Sequence, residues 1–587
     1  SRVCPPYHPK SPPMPMKTPL LPLSTRVALF LVWCLALRLD AEPSKIYGAN
    51  GEAWLAAGGP LPDFSYAGYQ RGEKPLPERT PDVSVKDYGA AGDGAADDTA
   101  AIQKAIDANP GKTIALPAGR YRLSEVVTIK TSGTVLQGEG PDKTVILAPV
   151  PLQEIHPLPV QYADTGGTAY AYSGGFINVA GSTGYFANDA QPVTAPAKRG
   201  DTVVQLAPGH PFKAGDEIVI VATDTTGQTL LRYLYREDAT DLSQAGSARS
   251  FRQVSRVKSA EGGTVTLERP LRIELRPEWK PEVRTFQPRV QEVGIEHLSF
   301  EFPKDPYLGH FTEKGFNAIQ MNGVAHSWVR DVVIRNADSG IKLGGSVFST
   351  VTGIILESGR KAPNPHDATG HHGISLESVD CLCTAFEFRT KFIHDLTVSG
   401  GSVGCVFSHG KGPDLSLDHH KLAPYENLFS QLDLGKGERM FLCGGHEGIG
   451  RNAAAGNTYW NLESKGSVEM PEGFGPSRLN FIGVKIRGRG KPDSDGLWIE
   501  SIRPGKLDPP DLHAAQLAGR LGGPIPPAAE EIAHPWTNTE GKTVPARFGG
   551  LQGTAVLLIL SDGKTVRYPL DKLSSDSQAL ARKLASP

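Results

Sequence analysis

Val85-Lys86-Asp87-Tyr88-Gly89-Ala90, followed by Gly92-Asp93-Gly94 and Asp97-Asp98-Thr99, leads into residues 100–108. The order reads as a short strand, a glycine-rich turn and an N-capped helix. Asp98 or Thr99 is placed to accept the orphan N–H groups of the first helical turn, and Ile102 and Ile106 recur four apart on one face. Leu116-Pro117-Ala118-Gly119-Arg120-Tyr121 comes next, then alternating strand segments around 126–129 and 135–138.

Downstream, short β-branched runs recur at 293–300, 329–334, 351–356, 374–376, 393–398, 428–434, 458–462 and 481–486. Several steps are about 20 to 23 residues and others are longer, the pattern of a solenoid with loops inserted between coils. A β-sandwich would show strands every ~8–12 residues joined by hairpin turns, and a dinucleotide fold would alternate strands with long helices. Neither pattern is present. Asn336 and Asn461 follow such runs and suit coil corners, where an amide side chain satisfies turning backbone groups. The opening segment resembles the N-terminal signature of the pectate-lyase superfamily of right-handed parallel β-helices, in which the helix caps the first coil. The resemblance implies an all-β, right-handed parallel β-helix. It leaves the substrate open, because that scaffold hosts lyases, hydrolases, epimerases and phage tailspikes.

Around this core the chain divides into an N-terminal extension (42–84), the start of the solenoid with its capping helix (85–194), a β-rich insertion (195–290) and the main solenoid (291–500). The arginines between Arg232 and Arg252 either line a groove for an anionic chain or form a solvated face. After Ser501 a Pro-rich stretch with a short helix at Leu512–Leu521, expected to cover the last coil, and a linker complete residues 501–535. The tail 536–587 reads as a small β domain with Asp562-Gly563 marking a hairpin turn. From Trp536-Thr537 through Asp562-Gly563-Lys564 to Leu573-Ser574 it resembles the SLA-homology SH3-like domain; its partner is unknown.

Lys+Arg 61 against Asp+Glu 63 in 587 residues excludes a strongly basic nucleic-acid binder and an acidic tail, and 39% hydrophobic residues exclude global disorder. Residues 1–41 read as an upstream over-read followed by a signal peptide. The start is expected at Met14 or Met16, with Lys17 and Arg26 before the apolar run 27–37, which is too short to span a bilayer. The expectation is a secreted, periplasmic or cell-surface bacterial protein with no membrane span after cleavage. Cys381, Cys383, Cys405 and Cys443 then allow either disulfides, in any of three pairings, or buried free thiols.

Half of the 16 histidines lie in one short region: His366, His371, His372, His394, His409, His419, His420 and His446. His372, His394, the His419–His420 pair and His446 recur at about one coil length, and stacked coils lie ~4.8 Å apart, so these imidazoles can form a row along an outer groove. A groove that removes the proton α to a uronate carboxylate needs a base near neutral pH, a cation for the developing enolate and an acid for the leaving group. Histidine suits the base. The candidate catalytic residues are His372, His394, Asp395, Asp418, His419, His420 and Tyr425, with Tyr425 as acid. The candidate substrate contacts are His371, Lys391, Lys411, Lys421, Arg439 and Trp460, the cations for uronate or sulfate groups and Trp460 for stacking on a sugar ring.

The segment 366–460 also resembles a recurring block of secreted bacterial β-helix proteins grouped with polysaccharide lyases. Its marks include Gly370-His371-His372-Gly373, His394-Asp395, Asp418-His419-His420 and Gly444-Gly445. The leading expectation is therefore a secreted lyase cleaving an acidic polysaccharide by β-elimination. One alternative is a glycoside hydrolase using Asp395 and Asp418, about one coil apart, as paired carboxylates ~5 Å from each other. Another is a non-catalytic carbohydrate-binding surface protein. No cofactor is certain. A divalent cation such as calcium is open, through Glu357, Glu377 or Glu387, and Asp418-His419-His420 with His371-His372 can supply N/O ligands to a metal.

Overall fold

Every ladder of the main body pairs strands that run the same way, and each strand pairs with one from the coil before and one from the coil after. The computed structural model describes residues 41–585 apart from 56–58, 182–183, 226, 238–239, 247–248, 365–366, 470, 472, 477, 488–497, 523–532, 553 and 561–564. The over-read and signal-peptide reading, the Asp562-Gly563 turn, His366 and most of the linker lie outside the described residues. The chain divides into two units, residues 1–42 and 43–587, and the solenoid lies within the second.

One long sheet runs through Thr113–Leu116, Val135–Gly138, Gly294–Glu301, Trp328–Arg335, Thr350–Glu357, Leu382–Phe388, Val406–Lys411, Leu428–Asp433, Thr458–Leu462 and Asn480–Val484 in that order. A second runs through Val127–Ile129, Ile177–Ala180, Asn317–Asn322, Ser339–Val347, His372–Val379, His394–Val398 and Leu417–His419. Together they wind a right-handed parallel β-helix. The β-branched runs of the sequence supply these strands, divided between the two sheets.

The bore is filled by side chains in register. Phe407 pairs with Phe429, Phe429 with Tyr459 and Tyr459 with Phe481. Their rings stack within 9° of parallel at 5.3, 5.7 and 4.6 Å between centroids, an arrangement in which each coil buries the aromatic face of the next. Corners are closed by side-chain ladders. Asn427 Oδ1 accepts the Cys405 N–H and Asn457 Oδ1 accepts the Asn427 N–H. Asn336 and Asn461 turn corners at φ 63° and 56°, where their amides bond the backbone of Phe302, Gly359, Gly505 and Pro510. Cys381, Cys383, Cys405 and Cys443 are free thiols.

The helix Thr99–Ala108 buries Ile102, Ala105 and Ile106 in the same core. Its N-terminus is bonded by Asp97, whose carboxylate accepts from the Thr99 N–H at 3.1 Å, rather than by Asp98 or Thr99. The Asp98 carboxylate instead accepts Ala91 and Gly92 amides in the glycine-rich turn.

The helix Leu512–Leu521 does not close the last coil. With Tyr47, Leu61 and Phe64 it packs on the outer face of the long sheet, over Val406, Leu428, Trp460 and Ile482. The insertion forms a six-stranded antiparallel sheet whose central pair is Glu217–Asp224 with Arg249–Glu261. It is pinned to the solenoid by buried ion pairs: Arg269 and Arg272 to Asp380, and Arg272 and Arg199 to Glu426. Arg252, within the arginine-rich stretch, covers the rings of Tyr185 and Phe186. The tail holds a four-stranded antiparallel sheet, 533–569, followed by the helix Ser575–Ala585. Among the described residues no helix is long and apolar enough to cross a membrane.

Candidate active site

On the second sheet the outward positions of successive coils form a polar row: Asn178, Gln320, Lys342, Ser375, Thr397 and Asp418 are cross-strand neighbours in that order. A second row brings Ser339, His372 and His394 side by side. The parallel register therefore does what the spacing predicts for these two imidazoles, whose ring centres lie 4.9 Å apart. His371, immediately before the strand, lies 4.3 Å from the His372 ring and 5.4 Å from the His394 ring.

Asp418 and His420 lie two residues apart and share the outward face, as strand alternation requires. The fully buried Asp418 accepts the Gly444 N–H at 2.8 Å and the Thr397 hydroxyl at 3.2 Å. Its Oδ2 sits 2.8 Å from His420 Nδ1 and 3.3 Å from His394 Nδ1. Burial alone would raise the Asp418 carboxyl, but the two imidazoles and the Gly444 amide reverse this and hold it well below the carboxylate range. Burial lowers the His420 imidazole, and Asp418 more than compensates, leaving it above its ordinary value. That ring is a third exposed. Its neighbours behave oppositely: burial takes His394 down to about 4 despite Asp418, and burial with adjacent imidazoles takes His371 and His372 well below 6.5. The result is one carboxylate-oriented, accessible imidazole beside a group of neutral ones.

Gly444 is required at this point. A Cβ there would stand 2.4 Å from His420 Cε1 and 2.9 Å from His394 Cε1. Beside the imidazoles a shallow depression is lined by Tyr172, Ser339, Lys342, His372, Ser375 and Glu377. Lys342 Nζ lies 3.0 Å from Glu377 and donates to the Tyr172 carbonyl.

Several sequence candidates fall elsewhere. His419 points into the bore, its Nδ1 at its own Leu417 carbonyl and its Nε2 at the Tyr459 hydroxyl, 3.1 Å away. Asp395, on the strand of His394, accepts the Phe392 and Ser416 amides and pairs with Arg439. It is therefore no partner for Asp418, and the paired-carboxylate alternative loses its pair. Arg439 is consumed by Asp395 and by the carbonyls of Asp414, Phe392 and Ile393. Tyr425 lies buried under the insertion, donating to the Arg272 carbonyl, and burial with Glu426 drives its phenol far up, which removes it as an acid. Trp460 is fully buried beneath the helix Leu512–Leu521, with Nε1 on the Pro509 carbonyl, and cannot stack on a sugar.

Lys411 lies on the long sheet with Glu387, away from the imidazoles; Lys391 lies in the turn before His394, where its carbonyl accepts the Thr369 N–H. Lys421 adjoins the site, donating to the His446 carbonyl, and His446 is exposed. His409 faces the opposite way, paired with Asp511 at 2.7 Å. Of the calcium candidates, Glu357 and Glu387 are held by Arg335 and Arg389 on the long sheet and Glu377 by Lys342.

The sequence reading omitted His310, Glu313 and Lys342. His310 and Glu313 stand on the loop between Gly294–Glu301 and Asn317–Asn322. His310 packs edge-on to His371 at 4.6 Å. Glu313 lies under His371, bonded by the Tyr307 hydroxyl, and burial raises it to about 8. No local pattern marks these loop residues; Lys342 was accessible from alternation along its strand. Among the described residues, ligand-type side chains converge in two groups, His310–His371–His394 and His394–Asp418–His420, each with donor atoms within 4.8 Å of one another.

A family model described as "Rhamnogalacturonase A/epimerase, pectate lyase-like" matches residues 83–167. Over 75 residues the chain is 52% identical to the mannuronan C5-epimerase AlgE3 of Azotobacter vinelandii, covering 11% of this chain and 4% of that protein. Over 74 residues it is 45% identical to alginate lyase 7 of the same organism, covering 11% and 9%. The chain thus spans a small fraction of these relatives' length. The tailspike protein gp49 from Pseudomonas phage LKA1 aligns with a TM-score of 0.38 at 14% identity, covering 68% of this chain and 75% of that one. The sequence matches support the pectate-lyase-like superfamily, and the fold is a right-handed parallel β-helix.

Proposed function

We propose that this protein is a secreted enzyme that cleaves an anionic polysaccharide by β-elimination, with His420 as the base. The observation that carries this reading is the His420 ring, a third exposed and fixed 2.8 Å from the buried Asp418 carboxylate. Asp418 holds Nδ1, so Nε2 is the atom free to take the proton α to a uronate carboxylate, and the buried charge stabilises the imidazolium that forms. That imidazolium is then the acid available to the departing glycosidic oxygen. Lys342, on the polar row ahead of Asp418, is the cation for a uronate or sulfate group, and Lys421 adjoins. The row Asn178 to Thr397 supplies amide and hydroxyl groups along the path of a chain. The names of the relatives, mannuronan epimerases and an alginate lyase, fit an acidic glycan whose uronate proton is removed.

Epimerisation begins with the same proton abstraction and is the second reading, favoured by the description of the matching family model. The test is a panel of pectate, alginate, glycosaminoglycans and sulfated algal glycans. Elimination gives an ultraviolet-absorbing unsaturated sugar. Epimerisation changes the uronate composition without cutting the chain. New reducing ends without absorbance would establish hydrolysis and overturn the proposal, and binding without turnover of any glycan would establish the surface-protein alternative.

A further inference from the structure

The proposed base leaves the neighbouring imidazoles of His310, His371, His372 and His394 without a role. We propose that His310, His371 and His394 bind a divalent transition cation of the zinc type, open on its remaining side to the groove. The inference rests on the reading of this groove as the polysaccharide site, and it names the cation that site uses.

Five observations support it. The three rings present donor atoms within 4.8 Å of one another, and His310 is on an exposed part of its loop, so a small movement brings the set to the ~3.3 Å nitrogen separation of bonds near 2.0–2.1 Å. His371 and His394 are 1% and 4% exposed, yet the Nδ1 of each is buried without a hydrogen bond. A carboxyl group stands beside each of those atoms: Glu313 at 3.5 Å from His371 Nδ1 and Asp418 at 3.3 Å from His394 Nδ1. When a metal holds one ring nitrogen, the other donates its N–H to such an outer carboxylate, which fixes the ring and raises its basicity. Glu313 also carries a buried Oε2 with no partner, consistent with a second shell that tightens once the rings are fixed. Finally, the donors are all nitrogen, which suits zinc-type ions and not calcium, whose ligands are oxygens.

The competing group, His394–Asp418–His420, has two members already committed to each other at 2.8 Å, so the His310 group is the better ligand set. Three histidines and one open position are the arrangement of a catalytic rather than a structural metal. Placed beside His420, the cation would draw off charge from the substrate carboxylate as the proton leaves, acting as a Lewis acid.

The experiment uses the full chain, stripped with a chelator and reloaded with Zn2+ or Co2+, and reads metal per chain by elemental analysis together with the visible spectrum of the cobalt form. One ion per chain is expected, with a four-coordinate cobalt spectrum. His310→Ala, at an exposed loop position, and His371→Ala should abolish stoichiometric binding. Glu313→Gln should weaken it about 10- to 100-fold, and His420→Ala should retain the ion. Retention of calcium alone, or of no ion, overturns the inference. Equal loss in His420→Ala and His371→Ala also overturns it, by moving the ion to the other group. Metal content is read without substrate, so a chain that binds one zinc yet forms no unsaturated product would refute the lyase and leave the site standing.

Discussion

His419 and His420 are adjacent in sequence and opposite in fate, so exchanging each for alanine separates the fold from the chemistry. The His419 ring is fully buried, packed on Phe429, Tyr459 and Phe474 at 5.2, 5.7 and 5.2 Å and bonded to the Tyr459 hydroxyl. Emptying a buried ring site costs about 3 kcal/mol or more, and an unpaired buried hydroxyl adds about 1–3 kcal/mol. His419→Ala should therefore lose about 4–6 kcal/mol of stability and keep its turnover at temperatures where it stays folded. His420→Ala leaves Asp418 with the Gly444 amide and the Thr397 hydroxyl, so its stability should fall by only about 1.5–3 kcal/mol. Its rate should fall ~10²- to 10⁴-fold, the worth of a positioned general base, equivalent to about 3–5 kcal/mol of barrier. Urea titration of tryptophan fluorescence gives the unfolding midpoint, and ultraviolet absorbance of the unsaturated product gives the rate. A His420→Ala enzyme within about threefold of wild type, or a His419→Ala enzyme that is inactive with an unchanged midpoint, would refute the assignment of faces.

Asp380→Ala should destabilise the chain by about 3–5 kcal/mol, because it strands the buried guanidinium of Arg269 and leaves Arg272 with Glu426 alone; the loss should appear in the same urea titration. Asp511→Asn should show its largest fall in melting temperature near about pH 5–6. Burial raises the Asp511 carboxyl, but His409 brings it to about 2, below its unfolded value, so its stabilisation is lost as pH falls from ~4 towards ~2. His409 is raised by Asp511 against its burial, so the stabilisation of that ion pair also fades as pH rises through the raised value. Lys342→Met should raise KM for an acidic glycan about tenfold with kcat changed less than about threefold, since Lys342 lies along the row and not at the base; a selective fall in kcat would contradict that placement.

The solenoid was legible because burying one face of every strand leaves a β-branched run that recurs once per coil. The division of those runs between two sheets was not, since periodicity within a strand does not say which wall of the coil it forms. The pairing of His372 with His394 was legible for the same reason as the fold: it depends only on coil length. What failed depended on chain folded back from far away. Trp460 is an outward residue hidden by the helix Leu512–Leu521, and Tyr425 is covered by the insertion. Asp395 and Arg439 satisfy each other, a pairing that sequence distance conceals. His310 reaches the site from a loop whose path carries no period.

The same distinction explains why the chemistry gathers where it does. A parallel β-helix stacks its strands coil upon coil, so an outward row aligns polar groups along the axis, as Asn178 to Asp418 do. Repetition alone gives a binding track, not a reactive centre, because every position along it is equivalent. The equivalence is broken by non-repeating pieces. One loop carries His310 and Glu313 to His371, and residues 440–450 bring the Gly444 amide onto Asp418. Glycine at 444 lets that second loop approach two imidazoles more closely than any side chain would allow. The scaffold thus sets the direction and spacing of the polar row, and the two loops select the coil at which a buried charge meets an accessible imidazole.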